Sequence, residues 1–159
     1  FNLGEEKTSQ ARKLVEGWKS RHERPGGAVG SLFAKLEAEL AELSPEDAAE
    51  FRTELGLSAG DAGEVIRLAY EVLGLVTFYT VGEDEVRAWT LPQGATAVKA
   101  AGRIHSDLEK GFVRAEVVSY ADLMACEGLA EARRKRMLRA EGKEYQIQDG
   151  DIVTILFHG

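Results

Sequence analysis

With a single cysteine, Cys126, the chain can hold neither an internal disulfide framework nor a zinc site built on several thiolates, and it suits a reducing compartment. No apolar run approaches the roughly 18–20 residues that a membrane-spanning helix requires. No basic stretch leads into the apolar segment of a secretory signal either, so the expected location is cytoplasmic. Positive charge is in deficit: 20 Lys and Arg stand against 27 Asp and Glu, for a net charge of −7. That balance argues against a non-specific grip on nucleic acid through bulk charge. Internal repeats and low-complexity linkers are missing. The chain begins at Phe1 rather than Met and is expected to be a piece of something longer.

A 44 % share of hydrophobic residues is enough for a core and argues against global disorder. The length allows one ordinary domain or two small ones. The acidity is uneven, at −5 over residues 1–74 and −2 over 75–159, and the second half carries the one dense basic run. In the first half, Lys7–Ser20 reads as a helix through Ala11, Leu14, Val15 and Trp18, broken at Pro25-Gly26-Gly27. Ala28–Phe33 reads as a short strand, and Leu36, Leu40 and Leu43 line one face of a helix from Ala34 to Leu43. Ser44-Pro45-Glu46-Asp47 starts the next, with Ser44 as N-cap and Pro45 at the first helical position, and Gly56 ends it. A third helix, about Ala62–Leu73, presents Val65, Ile66, Leu68, Ala69 and Val72 on a broad apolar face.

A junction at Gly74 opens the second half. Leu75–Val81 and Val86–Leu91 are strands joined by the polar loop Gly82-Glu83-Asp84-Glu85, a hairpin. After the turn Pro92-Gln93-Gly94, Thr96 stands at an N-cap position. One helix is expected over 96–109, its apolar face formed by Ala97, Ala100, Ala101, Ile104 and Leu108 and its end set by Gly111. Val113, Ala115 and Val117 alternate with Arg114 and Glu116 as in a half-buried strand. Helical pieces at Tyr120–Cys126 and Leu129–Met137 precede two short strands, Glu144–Gln148 and Ile152–Phe157, separated by the turn Asp149-Gly150-Asp151. The second of these is almost continuously apolar, as in a strand covered on both faces. A hairpin, a crossover helix and further strands describe a β-grasp, ubiquitin-like sheet. The fold class is therefore α+β, with a mainly helical segment over 1–74 and the β-grasp domain over 75–159.

The runs Phe78-Tyr79-Thr80-Val81-Gly82, Glu85-Val86-Arg87-Ala88-Trp89-Thr90, Ala100-Ala101-Gly102-Arg103-Ile104-His105-Ser106-Asp107, Gly111–Val117 and Arg139–Asp151 resemble the C-terminal TGS domain of Obg-like ATPases of the YchF type. That resemblance spans 75–159 and implies a β-grasp fold. TGS domains of tRNA synthetases and alarmone synthetases share Ile-His-x-Asp but not the Val-Arg-Ala-Trp-Thr and Glu-Gly-Lys-x-Tyr runs together. The first half is similar to the end of the same family's P-loop nucleotide-binding domain. Asn2-Leu3-Gly4-Glu5 fits its Asn-x-x-Glu base-recognition pattern, and Ala34 and Lys35 fit its Ser-Ala-Lys loop, with Phe33 where Ser is expected. The resemblance thus implies nucleotide-base recognition by Asn2, Glu5, Ala34 and Lys35. It implies ATP (or GTP) and Mg²⁺ in the parent family, and the ribosome or ribosomal RNA as partner together with the preceding nucleotide-binding domain. DNA and membranes are not expected partners. No Gly-x4-Gly-Lys-Ser/Thr run occurs, so this chain alone is not expected to cradle phosphates or hydrolyse nucleotide. Cut off from the rest of such a domain, the strand at 28–33 is expected to fray or to be repaired by another chain.

The basic run Arg133-Arg134-Lys135-Arg136, with Arg139 and Lys143, is the candidate surface for ribosomal RNA, Lys110 or Arg114 adding to it. The alternative is a solvated helix face balanced by Glu127, Glu131 and Glu141. Tyr120 and Tyr145 are candidate base-stacking residues, whereas Trp89 reads as core or docking. His105 and Asp107, two apart, do not share a helical face and read as structural or capping rather than as an acid–base pair. His22, His158, Glu109 and Glu116 lack metal-ligand spacing, and Cys126 reads as a small buried hydrophobe. A non-enzymatic β-grasp module that docks a protein partner is the other functional reading.

Overall fold

A computed structural model describes residues 1–22, 24–57, 61–82, 84–126 and 128–158. The loop residue Glu83 and the candidate balancing acid Glu127 therefore lie outside the described residues. The chain forms two compact units, Phe1–Leu73 and Gly74–Gly159.

The first unit runs from a 3₁₀ turn at Glu5–Gln10 into α1 (Ala11–His22), α2 (Ala34–Leu40), α3 (Pro45–Glu54) and α4 (Asp61–Leu73). Its core is small: Leu3, Phe33, Leu36, Leu40 and Ala48, with Leu14, Trp18 and Leu57 packed around them. The expected strand at 28–33 reduces to one parallel bridge, Asn2 with Leu32. Leu32 N–H donates to the Phe1 carbonyl and Leu3 N–H to that of Leu32, both at 2.8 Å, so the neighbour of this strand is the first segment of the same chain. Much of the apolar face expected on α4 stays uncovered, since Val65, Ile66 and Val72 are exposed. The start of α3 is as its residues dictate: Ser44 Oγ accepts the Asp47 N–H at 3.2 Å and Pro45 occupies the first turn. Ser44→Ala should cost about 1 kcal/mol, read as a lower urea midpoint followed by far-UV circular dichroism.

In the second unit β1 (Leu75–Val81) and β2 (Val86–Pro92) form the hairpin, and α5 (Ala97–Ile104), α6 (Ser106–Lys110) and β3 (Phe112–Ser119) follow. Then come α7 (Tyr120–Met124), α8 (Leu129–Arg134), β4 (Arg139–Glu141) and β5 (Asp151–Phe157). The strands make one mixed sheet in the order β2-β1-β5-β3-β4, with β5 parallel to β1 and antiparallel to β3. Alternation sends Val76, Phe78, Leu91, Ala115, Val117 and Val153 to the face that packs on Ala97, Ala100 and Ala101 of α5. On the opposite face Val118 and Ile152 pack with Leu123 of α7 and Ala132 of α8. Thus β5 is covered on both sides, as its apolar run requires.

Three local expectations are corrected. First, the single helix expected over 96–109 breaks at His105, whose backbone is extended (φ −161°, ψ 144°) and whose Nδ1 accepts the Asp107 N–H at 3.2 Å. His105 is thus the cap of α6, and Thr96 holds the position of a cap for α5 without a side-chain bond. Second, a register shift between Phe112 and Arg114 bulges β3. Phe112 takes the core position and Val113 faces out. Third, the strand expected at Glu144–Gln148 is a single bridge, Gln146 with Thr96. The strand that pairs with β3 is instead the polar Arg139–Glu141. Among the described residues no helix is long and apolar enough to cross a membrane.

Candidate nucleic-acid interface

The basic run leaves the sheet through α8. Ser119 ends β3 and caps α7, its Oγ accepting the Asp122 N–H at 3.1 Å. The buried Leu123 and Ala132 then hold α7 and α8 on the same sheet face. This layer presents Arg133, Arg134, Lys135 and Arg136 to solvent, and also Tyr120, which is 57 % exposed. Of the two candidate stacking tyrosines only Tyr120 is thus an open ring. Tyr145 is half-buried: its hydroxyl donates to Asp151 Oδ2 at 2.8 Å and accepts from the Arg139 guanidinium at 3.1 Å. Burial, and then the hydrogen bond and charge of Asp151, push that hydroxyl up to about 12, with Arg139 pulling the other way.

Most of the cluster's charge is already engaged. Arg133 bonds to Glu116 of β3. Arg134 makes a bidentate pair with Glu131 at 2.7 and 2.8 Å, and Lys135 lies 3.4 Å from the same carboxylate. The Arg134 hydrogen bond holds the Glu131 carboxyl below the ordinary carboxylate range, partial burial opposing and Lys135 reinforcing it. Arg139 lies 3.3 Å from Glu141, and burial works against its charge less than Tyr145, Asp151 and Glu141 support it. Arg136 and Lys143 are exposed and have no carboxylate partner among the described residues. The balancing acids Glu131 and Glu141 were legible as sequence neighbours. Glu116 was not, because the pair spans 17 residues and forms only when α8 lies across β3.

Lys110 pairs with Asp107 at 3.7 Å, and Arg114 is exposed on β3. Trp89 is half-buried against Phe78 and donates its indole N–H to Thr80 Oγ1 at 3.0 Å, a core role. Cys126 is half-buried, its Sγ 3.3 Å from Met137 Sδ. Among the described residues no group of three His, Cys, Asp or Glu could hold a metal ion.

In the first unit the parallel pairing of 1–3 with 30–32 brings two of the candidate base-recognition segments together. Asn2 Oδ1 accepts the Ala34 N–H at 3.1 Å, so that N–H is engaged inside the protein. Lys35 is exposed and lies 3.6 Å from Glu39, Glu5 sits in the exposed 3₁₀ turn, and Phe33 is turned into the core. Asn2 also carries an amide N–H₂, a donor, and Glu5 a carboxylate, an acceptor.

The family model that matches, YchF-GTPase_C, is described as a protein of unknown function (DUF933) and covers residues 75–158. The chain belongs to the YchF family, and what it carries is the C-terminal region. Its similarity to the ribosome-binding ATPase YchF of Escherichia coli O157:H7 is 46 % identity over 135 residues, 85 % of this chain and 37 % of that protein. To the Bacillus subtilis (strain 168) protein of the same name it is 48 % over 127 residues, 80 % of this chain and 35 % of that one. The chain therefore spans under two-fifths of the length of these YchF relatives. The solved Schizosaccharomyces pombe YchF GTPase superposes with a TM-score of 0.78 at 31 % identity, over 98 % of this chain and 42 % of that one. A GTP binding protein from Pyrococcus horikoshii OT3 shares the fold, with a TM-score of 0.61 at 20 % identity over 95 % of this chain and 43 % of its own.

Proposed function

We propose that this chain is the ribosome-contacting C-terminal region of a YchF-type ATPase or GTPase, acting in the cytoplasm, and that its second unit is a TGS domain of β-grasp type. The observation that carries the reading is the solvent-facing run Arg133–Arg136 on the same layer as the open ring of Tyr120. Cations that neutralise backbone phosphates and an aromatic that stacks a splayed base are the two components of RNA contact. Arg139 and Lys143 extend that surface. The relatives' name, ribosome-binding ATPase, agrees with this chemistry.

In the parent protein, ATP hydrolysis would supply free energy and Mg²⁺ would neutralise the phosphate charge. This chain's share would be the base: Asn2 and Glu5 would read the adenine edge, with Asn2 fixed by Ala34 and with Lys35 alongside. The chain has no Gly-x4-Gly-Lys-Ser/Thr loop for the phosphates, so hydrolysis by this chain alone is not expected. The second reading, a β-grasp module that docks a protein partner and never touches RNA, is favoured by the ion pairing of Arg133, Arg134 and Lys135 within the protein.

Co-sedimentation with purified ribosomes over a salt series separates the two. The RNA reading expects binding that weakens steeply with salt, and a loss of at least tenfold at low salt when Arg133, Arg134, Lys135 and Arg136 are all changed to Ala. Binding that survives both salt and substitution would favour a protein partner. No binding by either form would overturn docking by this region on its own.

A further inference from the structure

Among the described residues six glycines have positive φ, and Arg136 is the one other residue that does, at φ 58°. Its surroundings explain the demand. Met137 N–H donates to the Ala132 carbonyl at 2.9 Å and Arg136 N–H to that of Arg133 at 3.0 Å, the paired bonds of a Schellman motif closing α8. The motif requires a left-handed residue where Arg136 stands, and it turns the chain so that Met137 and Leu138 return to the apolar cluster under α7 and α8. Glycine meets that demand freely, whereas a side chain there crowds its own backbone. Arginine thus stands where the fold alone favours glycine. It is also the member of the 133–136 run with no ion pair among the described residues, its three neighbours being held by Glu116 and Glu131.

We propose that Arg136 is the phosphate-binding residue of this surface, a backbone phosphate of structured RNA being its ligand. Arg133, Arg134 and Lys135 are then largely spent on holding α8 to the sheet and to itself. A planar guanidinium with no ion-pair partner among the described residues can take a phosphate bidentately without first breaking an ion pair. Its neighbours would each have to leave a carboxylate to do the same. The assignment rests on the RNA-contact reading above and refines it from a four-residue patch to one side chain.

The test uses purified ribosomes and this chain as it stands, with Arg136→Gly, Arg136→Lys and Arg134→Ala beside the quadruple alanine variant. Arg136→Gly is expected to raise Tm by a few degrees, because it relaxes the turn. It should also bind about tenfold more weakly at low salt, with a log–log salt slope shallower by roughly 0.7–0.9, the mark of one lost phosphate contact. Arg136→Lys should keep the slope, and Arg134→Ala should weaken binding less than Arg136→Gly does. If Arg136→Gly binds as wild type while the quadruple variant is weakened, the RNA surface stands and the assignment to Arg136 falls. If the quadruple variant also binds as wild type, the RNA reading itself falls. A Tm that drops in Arg136→Gly would overturn the claim that arginine is kept there against the preference of the turn.

Discussion

Asp151→Ala is expected to lower the stability of the second unit by about 3 kcal/mol, the loss of two hydrogen bonds to a charged acceptor. Asp151 is 2 % exposed and is the buried charged side chain among the described residues. Its Oδ2 accepts from the Tyr145 hydroxyl at 2.8 Å and from the Gln148 N–H at 2.9 Å. Removing the carboxylate strands both donors in a place water reaches poorly. Arg139 adds little to the cost: its guanidinium is 3.9 Å from Oδ1 and its side chain is 49 % exposed, so it can turn to solvent. Urea unfolding followed by Trp89 fluorescence in a Trp18→Phe background would measure the effect, and a midpoint within experimental error of the same background without Asp151→Ala would refute it. The Tyr145 titration gives an independent check. Its neutral form is favoured in the fold, so this contribution to stability is complete below pH 10, the ordinary value, and is lost as pH rises toward about 12. In Asp151→Ala the phenol absorbance should titrate lower than in wild type, but above 10, because burial, the larger cause, remains.

Gly111→Ala should cost about 2–3 kcal/mol by overpacking, read in the same urea experiment. A Cβ at this position would lie 2.1 Å from the carbonyl oxygen of His158 and 3.3 Å from that of Asp107, both backbone atoms. Neither can rotate away as a side chain would. Relief would require parting the α6–β3 connection from the end of β5, where His158 N–H donates to the Gly111 carbonyl at 2.8 Å. The φ of Gly111 is −88°, open to any residue, so the demand is for space and not for a left-handed backbone. Gly111→Asn, a residue that tolerates positive φ, should therefore fare no better than Ala. A rescue by Asn would show the explanation to be wrong.

What was legible in the sequence is what local chemistry dictates. The Ser44-Pro45 start, the hairpin of 75–81 with 86–91 and the doubly covered strand near the end all follow from caps, turns and hydrophobic period. The misreadings share a different cause: each is settled by a distant partner or an unusual residue. The capping reading of His105 and Asp107 holds, but His is an uncommon cap, and the apolar spacing around it still reads as one continuous helix. The bulge turns Val113 alone out of an alternation that Ala115 and Val117 keep, because Phe112 fills the core instead. Arg-Ala-Glu at 139–141 has no strand signature and is a strand only because β3 offers it an edge. For the candidate interface, the cations were visible as a run, but their division into paired and unpaired members was not. That division depends on Glu116 across the sheet and on a left-handed turn at a residue that is not glycine.

The order of the sheet, β2-β1-β5-β3-β4, has a consequence for how the unit is made. During synthesis the hairpin and the β3–β4 pair emerge first, each with one long edge awaiting a neighbour that has not yet left the ribosomal tunnel. Only β5, the last strand of the five, joins them, and it does so through contacts distant in sequence, the slow kind to form. Until then both half-sheets expose unpaired edges open to the wrong partner. The sheet of the second unit therefore closes in one late step, and a translating ribosome that stalls before β5 emerges would display two halves of a sheet with no strand between them.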